Sequence, residues 1–119
     1  MDRRVTAGEV DDLLREGRPP DAIVAYAGSV ALGVIAELQR HGIKPGRDMA
    51  VVGFDDIDAA SVHHPTLTTV ATFPDQLGER AVKALLARIS NPQAPLVKTR
   101  FEAQLFARET TMLWSRKAV

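Results

Sequence analysis

Short apolar runs alternate with amphipathic stretches along this chain. Two of the runs, residues 21–27 (DAIVAYA) and 49–57 (MAVVGFDDI), are followed by glycine or end near acidic residues. Such short runs are typical of buried strands in a parallel sheet. Between them, residues 30–41 place apolar side chains at helical spacing, and Gly42 supplies a C-terminal stop. A strand, helix and strand of this combined length predict a βαβ crossover.

The same patterns predict four more elements. A helix is predicted over residues 6–17, because its first residue, a threonine, and Glu9 have the spacing of a capping box. Residues 65–70 (PTLTTV) are rich in strand-forming residues and predict a third strand. A second long helix is predicted over residues 75–90, and the alternation of residues 96–107 predicts a last strand. The sequence therefore predicts an α/β fold, in which helices flank a mostly parallel sheet in three layers.

Composition narrows the class of protein. The chain has 119 residues, of which 45% are hydrophobic and 25% charged, so we expect one soluble domain. Fifteen basic residues balance fifteen acidic ones without a basic stripe, which argues against a nucleic-acid surface. The lack of cysteine excludes disulfides and fits a reducing cytosol. Without a signal segment or a long apolar run, we expect a cytoplasmic protein and no membrane contact.

Catalytic and metal motifs are weak. Gly28 and Gly33 have neither dinucleotide nor P-loop spacing, and Ser29 lacks the flanking glycines of a nucleophile elbow, so we expect Ser29 to cap the following helix. His63 and His64 are adjacent and cannot easily aim at one ion, and no i, i+4 pair of ligand residues is expected on a helix. We therefore predict no enzyme activity, no cofactor and no metal site.

The pair Asp55 and Asp56 stands where the second buried strand ends. Ligands gather at the carboxyl ends of strands in open α/β sheets, but aspartates also serve simply as strand exits and helix caps. A phospho-receiver pocket would need a third acid and a lysine at a late strand end, and residues 65–73 (PTLTTVATF) offer no lysine. From these residues alone, both a ligand-binding and a structural role remain open.

The order of several motifs resembles a known family. The motifs are VVGFDD, then PTLTTV, then LGERAV, then RETT. In this order they are similar to the C-terminal part of transcription regulators of the lactose-repressor (LacI/GalR) family. The resemblance covers about residues 5–111, so it implies a partial, periplasmic-binding-protein-like C-terminal lobe over residues 1–111 and a tail over residues 112–119.

The resemblance implies a function. Family members join a DNA-reading helix-turn-helix to a two-lobed sensor, and a small effector between the lobes changes how the dimer holds DNA. This chain is expected to lack the helix-turn-helix and the N-terminal lobe. It is thus interpreted as the effector-sensing and dimerisation part of a cytoplasmic regulator, with a sugar or nucleoside-like effector and DNA contact only through a domain absent here.

The effector site departs from the family pattern. Members usually carry Asn-Asp where this chain has Ala27 and Gly28, and the aspartate holds hydroxyl groups of the ligand. The glutamine common after the third strand is Thr72 here. The residues predicted to line the cleft are Tyr26, Ser29, Asp55 and Thr72. Two alternatives stay open: a sugar-binding transport protein of the same architecture, and an interaction module that has lost its effector.

Self-association is predicted from two helices. The helix over residues 30–41 adjoins the dimer interface in relatives, and its candidate contact residues are Val30, Val34 and Glu37. The helix over residues 75–90 packs on the N-terminal lobe in relatives. Its apolar stripe consists of Leu77, Ala81, Leu85 and Ile89. Because exposed apolar side chains forfeit roughly 1.5–3 kcal/mol each, we expect this helix to fold onto its own sheet or against a second copy.

Overall fold

The computed structural model describes residues 3–17 and 19–112, with side chains from residue 8 onward. This part of the chain contains five helices and four strands. The helices are α1 (Arg3–Arg15), α2 (Gly28–Arg40), α3 (Ala59–Val62), α4 (Pro74–Ser90) and α5 (Glu109–Met112). The strands are β1 (Ala22–Val24), β2 (Ala50–Phe54), β3 (Thr68–Ala71) and β4 (Gln104–Phe106). Beyond Met112, the predicted tail lies outside the described residues.

The four strands form one sheet in the order β1-β2-β3-β4. The first three strands are parallel, and β4 pairs antiparallel to β3. In the central strand, Val52 stands opposite Val24 on one side and Thr68 on the other. The predicted α/β fold with a mostly parallel sheet flanked by helices is therefore confirmed. Because the parallel strands end together, the segments after β1, β2 and β3 lie at one edge of the sheet.

The core forms where α2 packs on β2. The buried face of α2 comprises Ala31, Val34, Ile35 and Leu38. A Cβ atom on Gly53 of β2 would lie 3.1 Å from both the Ala31 Cβ and the Leu67 Cδ2. The missing side chain at Gly53 thus permits the close approach of the helix. The α1 helix packs mainly against α2, and its Val10 is buried against the same core.

Two predicted boundaries are wrong. The first helix begins at Arg3, so Thr6 lies inside the helix and not at its N-cap. The last strand covers only Gln104–Phe106 instead of residues 96–107. Only these three residues have neighbours on β3, and a strand exists only where a neighbour accepts and donates its backbone hydrogen bonds. Leu96 and Val97 are each 84% exposed.

The C-terminal segment is held by a buried threonine. The hydroxyl of Thr110, in α5, donates to the Val51 carbonyl at 2.7 Å and accepts from the Thr68 backbone N–H at 2.8 Å. The Thr110 backbone N–H donates to the Thr66 carbonyl at 3.0 Å. Thr110 is fully buried. Its side chain therefore links β2 to β3 and anchors the chain where it returns to the sheet.

The α4 helix projects away from the sheet. All of its residues are exposed, and the exposed fraction of Leu85 is 59% and that of Ile89 is 66%. Phe73, with φ 52° and ψ 59°, turns the chain just before the helix. The molecule accordingly extends over 59 × 28 × 27 Å. The expectation that this helix folds onto its own sheet is wrong, because the chain turns away at Phe73 and returns only at β4.

Replacing Thr110 by valine tests the buried link. The Thr110→Val variant keeps the shape of the side chain but leaves the Thr68 N–H and the Val51 carbonyl without their partner. We expect the free energy of unfolding, measured by urea denaturation, to fall by about 3 kcal/mol. The control is Thr72→Val, which removes one 3.3 Å hydrogen bond between exposed groups and should cost under about 1 kcal/mol. Equal losses in the two variants would contradict the role of Thr110.

Candidate ligand-binding site

A cleft opens at the carboxyl edge of the sheet. It lies between the segment that follows β2 and the N-terminus of α4, and its volume is about 310 Å³. The lining residues are Asp55, Asp56, Asp58, Ala71, Phe73, Pro74, Asp75 and Gln76. The position agrees with the rule that open α/β sheets bind ligands beyond the carboxyl ends of their strands.

The backbone turns sharply at the bottom of this cleft. Asp55 and Asp56 both have positive φ, 79° and 42°, which aspartate adopts more readily than most residues. The Asp55 N–H still donates to the Val70 carbonyl at 2.9 Å, so pairing with β3 continues into the turn. The two successive left-handed residues direct their side chains to different partners.

Asp56 serves the fold. Its carboxylate accepts a 2.9 Å hydrogen bond from Arg108 Nη1, and its backbone N–H donates to Thr69 Oγ1 at 3.1 Å. Arg108 Nη1 also donates to the Leu67 carbonyl at 3.0 Å. The Arg108–Asp56 ion pair is mostly shielded from solvent, with side-chain exposures of 20% and 28%. Asp56 therefore ties the strand exit to the C-terminal segment, as expected for a structural aspartate.

Asp55 points to a different environment. Its side chain is exposed at the cleft, where its Oδ1 accepts a 3.3 Å hydrogen bond from the Thr72 hydroxyl. The structure thus brings together two of the predicted site residues, Asp55 and Thr72. Tyr26 and Ser29, the other two, follow β1 and do not line this cleft. Tyr26 is 66% exposed.

The cleft is acidic with one aromatic wall. Four of its eight lining residues are aspartates, and Arg108 neutralises only one of them, Asp56. Carboxylates accept hydrogen bonds from hydroxyl and amino groups, and they repel phosphates and other anions. Phe73 contributes an apolar surface beside them. The arrangement suits a neutral ligand rich in hydroxyl groups, or a cationic one.

Of the eight lining residues, sequence reasoning predicted only Asp55 as a ligand contact. Asp58, Phe73, Asp75 and Gln76 come from the turn after β2 and from the start of α4. These segments follow neighbouring parallel strands, so their meeting could have been inferred from the predicted strand order. The direction of the chain after Phe73 could not have been inferred, because it depends on the left-handed backbone of Phe73, which no pattern in the sequence indicates.

Two predicted roles on α2 require correction. The N-cap of α2 is Ala27, without a side-chain hydrogen bond, so Ser29 lies in the first helical turn and is not the cap. Val34 and Glu37, predicted to mediate self-association, are only 3% and 6% exposed because α1 packs against α2. Val30 is half-buried. Self-association through α2 stays a prediction, but it would have to use the exposed residues Ala36, Gln39 and Arg40.

Gly28 occupies a confined position. A Cβ atom there would lie 2.9 Å from Ile57 Cγ1 and 3.2 Å from the Phe54 carbonyl oxygen. An aspartate side chain at this position would therefore not fit without a shift of Ile57. The absence of a side chain at Gly28 thus permits the close packing of the turn after β2.

Two glycine-to-alanine variants test this confinement. Gly28→Ala should lower the free energy of unfolding by about 1–2 kcal/mol, because an overpacked site must shift its neighbours. Gly78→Ala, in α4, meets nothing within 4 Å and should instead raise helix content, by about 0.5–1 kcal/mol of helix stability. Urea unfolding and circular dichroism measure both effects. A stabilised Gly28→Ala variant would show that the space exists.

A parallel α/β sheet with a cleft beyond its strand ends is the form of a small-molecule-binding domain. The chain belongs to the periplasmic binding protein-like domain family, which it matches over residues 2–111. The match leaves no room for a separate DNA-reading domain among the 119 residues.

The similar proteins with names are transcription regulators. The HTH-type transcriptional repressor PurR of Actinobacillus pleuropneumoniae serotype 3 (strain JL03) is 32% identical over 96 residues, which are 81% of this chain and 27% of that protein. The dimeric Lac repressor with an 11-residue C-terminal deletion has a TM-score of 0.82 at 30% identity, over 92% of this chain and 40% of that one. A LacI family transcriptional regulator from Enterococcus faecium, with bound ribose, has a TM-score of 0.83 at 25% identity, over 93% of this chain and 40% of that one.

These comparisons confirm the predicted resemblance. The chain matches part of the regulatory domain of LacI/GalR-type regulators, and it spans only 27% to 40% of the lengths of those three proteins. The named relatives are transcriptional repressors, in agreement with the predicted class of protein. In the described part of the chain, no helix is both long and apolar enough to cross a membrane.

Proposed function

We propose that this chain is the effector-sensing part of a LacI-type transcription regulator and that its cleft holds a neutral, hydroxyl-rich ligand such as a sugar or a nucleoside. The observation that carries the proposal is the exposed Asp55 carboxylate, placed beside Phe73 at the carboxyl edge of the sheet. Regulation of DNA binding, in the cytoplasm, then belongs to the longer protein of which such a domain is a part.

Each cleft residue has a distinct task in this proposal. Asp55 accepts hydrogen bonds from ligand hydroxyls, and Thr72 orients that carboxylate through its own hydroxyl at 3.3 Å. Phe73 covers the apolar face of a sugar or base ring. Tyr26 and Ser29, which follow β1 at the same edge, contact the outer part of a larger ligand. Asp56 stays bound to Arg108 and takes no part in recognition.

The open cleft of this chain is expected to bind a ligand weakly. Ligand sites usually bury 70–90% or more of a small molecule, and this cleft remains partly open to solvent between the turn after β2 and the start of α4. The E. faecium regulator, of which this chain covers 40%, contains ribose. In a longer regulator the remaining protein would enclose the ligand, so the isolated chain is expected to bind with reduced affinity.

The sugar-binding proposal is tested by calorimetric titration of this chain with ribose, glucose and adenosine. At least one of these should bind, and Asp55→Asn should weaken it about ten-fold or more, because a hydrogen bond to a charged acceptor contributes about 1.5–3 kcal/mol. The control, Asp21→Asn, removes an exposed carboxylate outside the cleft and should leave affinity unchanged. Binding that is equal in the two variants would contradict the role of Asp55.

The second part of the proposal concerns assembly. The apolar stripe of α4 is exposed along its whole length, and the exposed residues Val82 and Leu86 widen this apolar face. A stripe of this size on a helix without internal partners favours burial against another surface. We propose that a second copy of the chain covers it in solution. In a longer regulator, protein beyond these residues would cover the same stripe.

Sedimentation equilibrium over a wide concentration range tests self-association through α4. The wild-type chain should dimerise, and the double variant Leu85→Lys, Ile89→Lys should weaken the dimer by at least about ten-fold per buried side chain. Because both side chains are exposed within the single chain, the variant should unfold at the same urea concentration at low protein concentration. The control is Gln39→Lys with Ala36→Lys on α2.

Each result identifies a surface. Loss of the dimer only in the α4 variant supports the proposal. Loss only in the α2 control would move the interface to the exposed face of that helix. A wild-type chain that stays monomeric at all concentrations would overturn self-association altogether.

A second candidate function is favoured by one observation. The family resemblance implies a ligand-binding Asn-Asp pair where this chain has Ala27 and Gly28, and a Cβ atom at Gly28 would lie 2.9 Å from Ile57 Cγ1. The chain would then be an interaction module without an effector, and the titrations above would show no heat with any sugar or nucleoside. A transport protein is less well supported, since the named relatives are repressors.

A further inference from the structure

Three potential metal ligands converge between α1 and α2. His41 Nε2 lies 3.3 Å from Asp11 Oδ1 and 3.2 Å from Glu37 Oε1, and the ligand atoms of the three residues all lie within 4.8 Å of one another. Glu37 and His41 are four residues apart at the end of α2, so the expectation that no such pair exists is wrong. Asp11 reaches them from α1, which explains why sequence spacing alone did not reveal the cluster.

A hydrogen bond from His41 alone cannot serve both carboxylates fully. One imidazole nitrogen carries at most one hydrogen, while two carboxylate oxygens approach it at nearly equal distance. A tetrahedral zinc ion with bonds of about 2.0–2.1 Å would separate its ligand atoms by about 3.3 Å. The separations of His41 Nε2 from the two carboxylate oxygens, 3.3 and 3.2 Å, match that value, and the two oxygens lie within 4.8 Å of each other. A cation between the three atoms would interact with both carboxylates at once.

The far oxygens of both carboxylates are held by arginines. Arg15 Nη2 lies 2.6 Å from Asp11 Oδ2, and Arg40 Nη1 lies 2.8 Å from Glu37 Oε2. Each carboxylate therefore keeps its other oxygen, Oδ1 or Oε1, directed at His41. Hydrogen bonds of this kind to the outer atoms of ligand residues orient metal sites in proteins. The side chain of Glu37 is only 7% exposed, which further limits its movement.

We propose that Asp11, Glu37 and His41 bind one divalent transition metal ion of the zinc type. An imidazole ligand favours zinc, nickel or copper over magnesium and calcium, which prefer oxygen ligands alone. Three protein ligands leave a further coordination position for water, and the partial exposure of His41 (37%) gives the ion a path to solvent. The ion would join α1 to the C-terminal end of α2. The site is independent of the effector cleft.

Cobalt(II) provides the direct test, because its visible absorption is strong in four- or five-coordinate sites and weak in octahedral ones. The 119-residue chain, freed of metal, should bind one Co²⁺ with visible absorption, and Zn²⁺ should displace it whereas Mg²⁺ should not. His41→Gln and Asp11→Asn should each weaken binding at least about ten-fold. His64→Gln, which removes an exposed histidine outside the cluster, should bind as the wild type does.

Thermal unfolding separates a metal site from a simple ion pair. Zn²⁺ should raise the melting temperature of the wild type and of His64→Gln, but not that of His41→Gln, whatever the melting temperature of each metal-free protein. The proposal is overturned if the wild-type chain binds no Co²⁺, if the bound Co²⁺ has an octahedral spectrum, or if His41→Gln binds with unchanged affinity. None of these results depends on effector binding.

Discussion

The buried hydroxyl of Thr110 is the contact on which the remaining architecture depends. It donates to Val51 in β2 and accepts from Thr68 at the start of β3, so one side chain joins two strands and the C-terminal segment. The chain leaves the sheet after β3 and returns to it through β4 and α5. Without an anchor at the return, the antiparallel pairing of the three-residue β4 would have little to support it.

This anchor lets a long segment project from a stable base. The α4 helix and the extended residues after it are held at both ends by the sheet, but they have no core of their own. Their apolar side chains are exposed, and this exposure favours burial against another surface. Such a segment shapes the cleft at its base, through Phe73 and Asp75, and offers a contact surface along its length.

The two adjacent aspartates show how one short motif divides its work. Asp56 turns toward Arg108 and strengthens the link between β2 and the C-terminal segment. Asp55 turns toward the cleft and Thr72. Both residues have a left-handed backbone, which ends the strand here. The two side chains still point in different directions, as those of adjacent residues in a strand do. A structural role and a binding role are thus compatible within the same pair.

The sequence by itself determined the local elements and their kind. The long helices, the short buried strands and the mostly parallel order all follow from hydrophobic periodicity, glycine and proline, which act within a few residues. The same patterns predicted that the stripe through Leu85 and Ile89 is apolar, and the order of motifs predicted the family. These features are local, so no knowledge of distant partners was needed.

Only the tertiary structure decided which residues meet. Glu37 was predicted to be an exposed contact residue, yet α1 buries it and brings Asp11 to it. The last strand is short because only three of its residues find a neighbour on β3. The exposure of α4 depends on the backbone at Phe73, which turns the helix away from the sheet. Pairings between distant segments depend on the path of the whole chain, and periodicity along a single segment carries no information about that path.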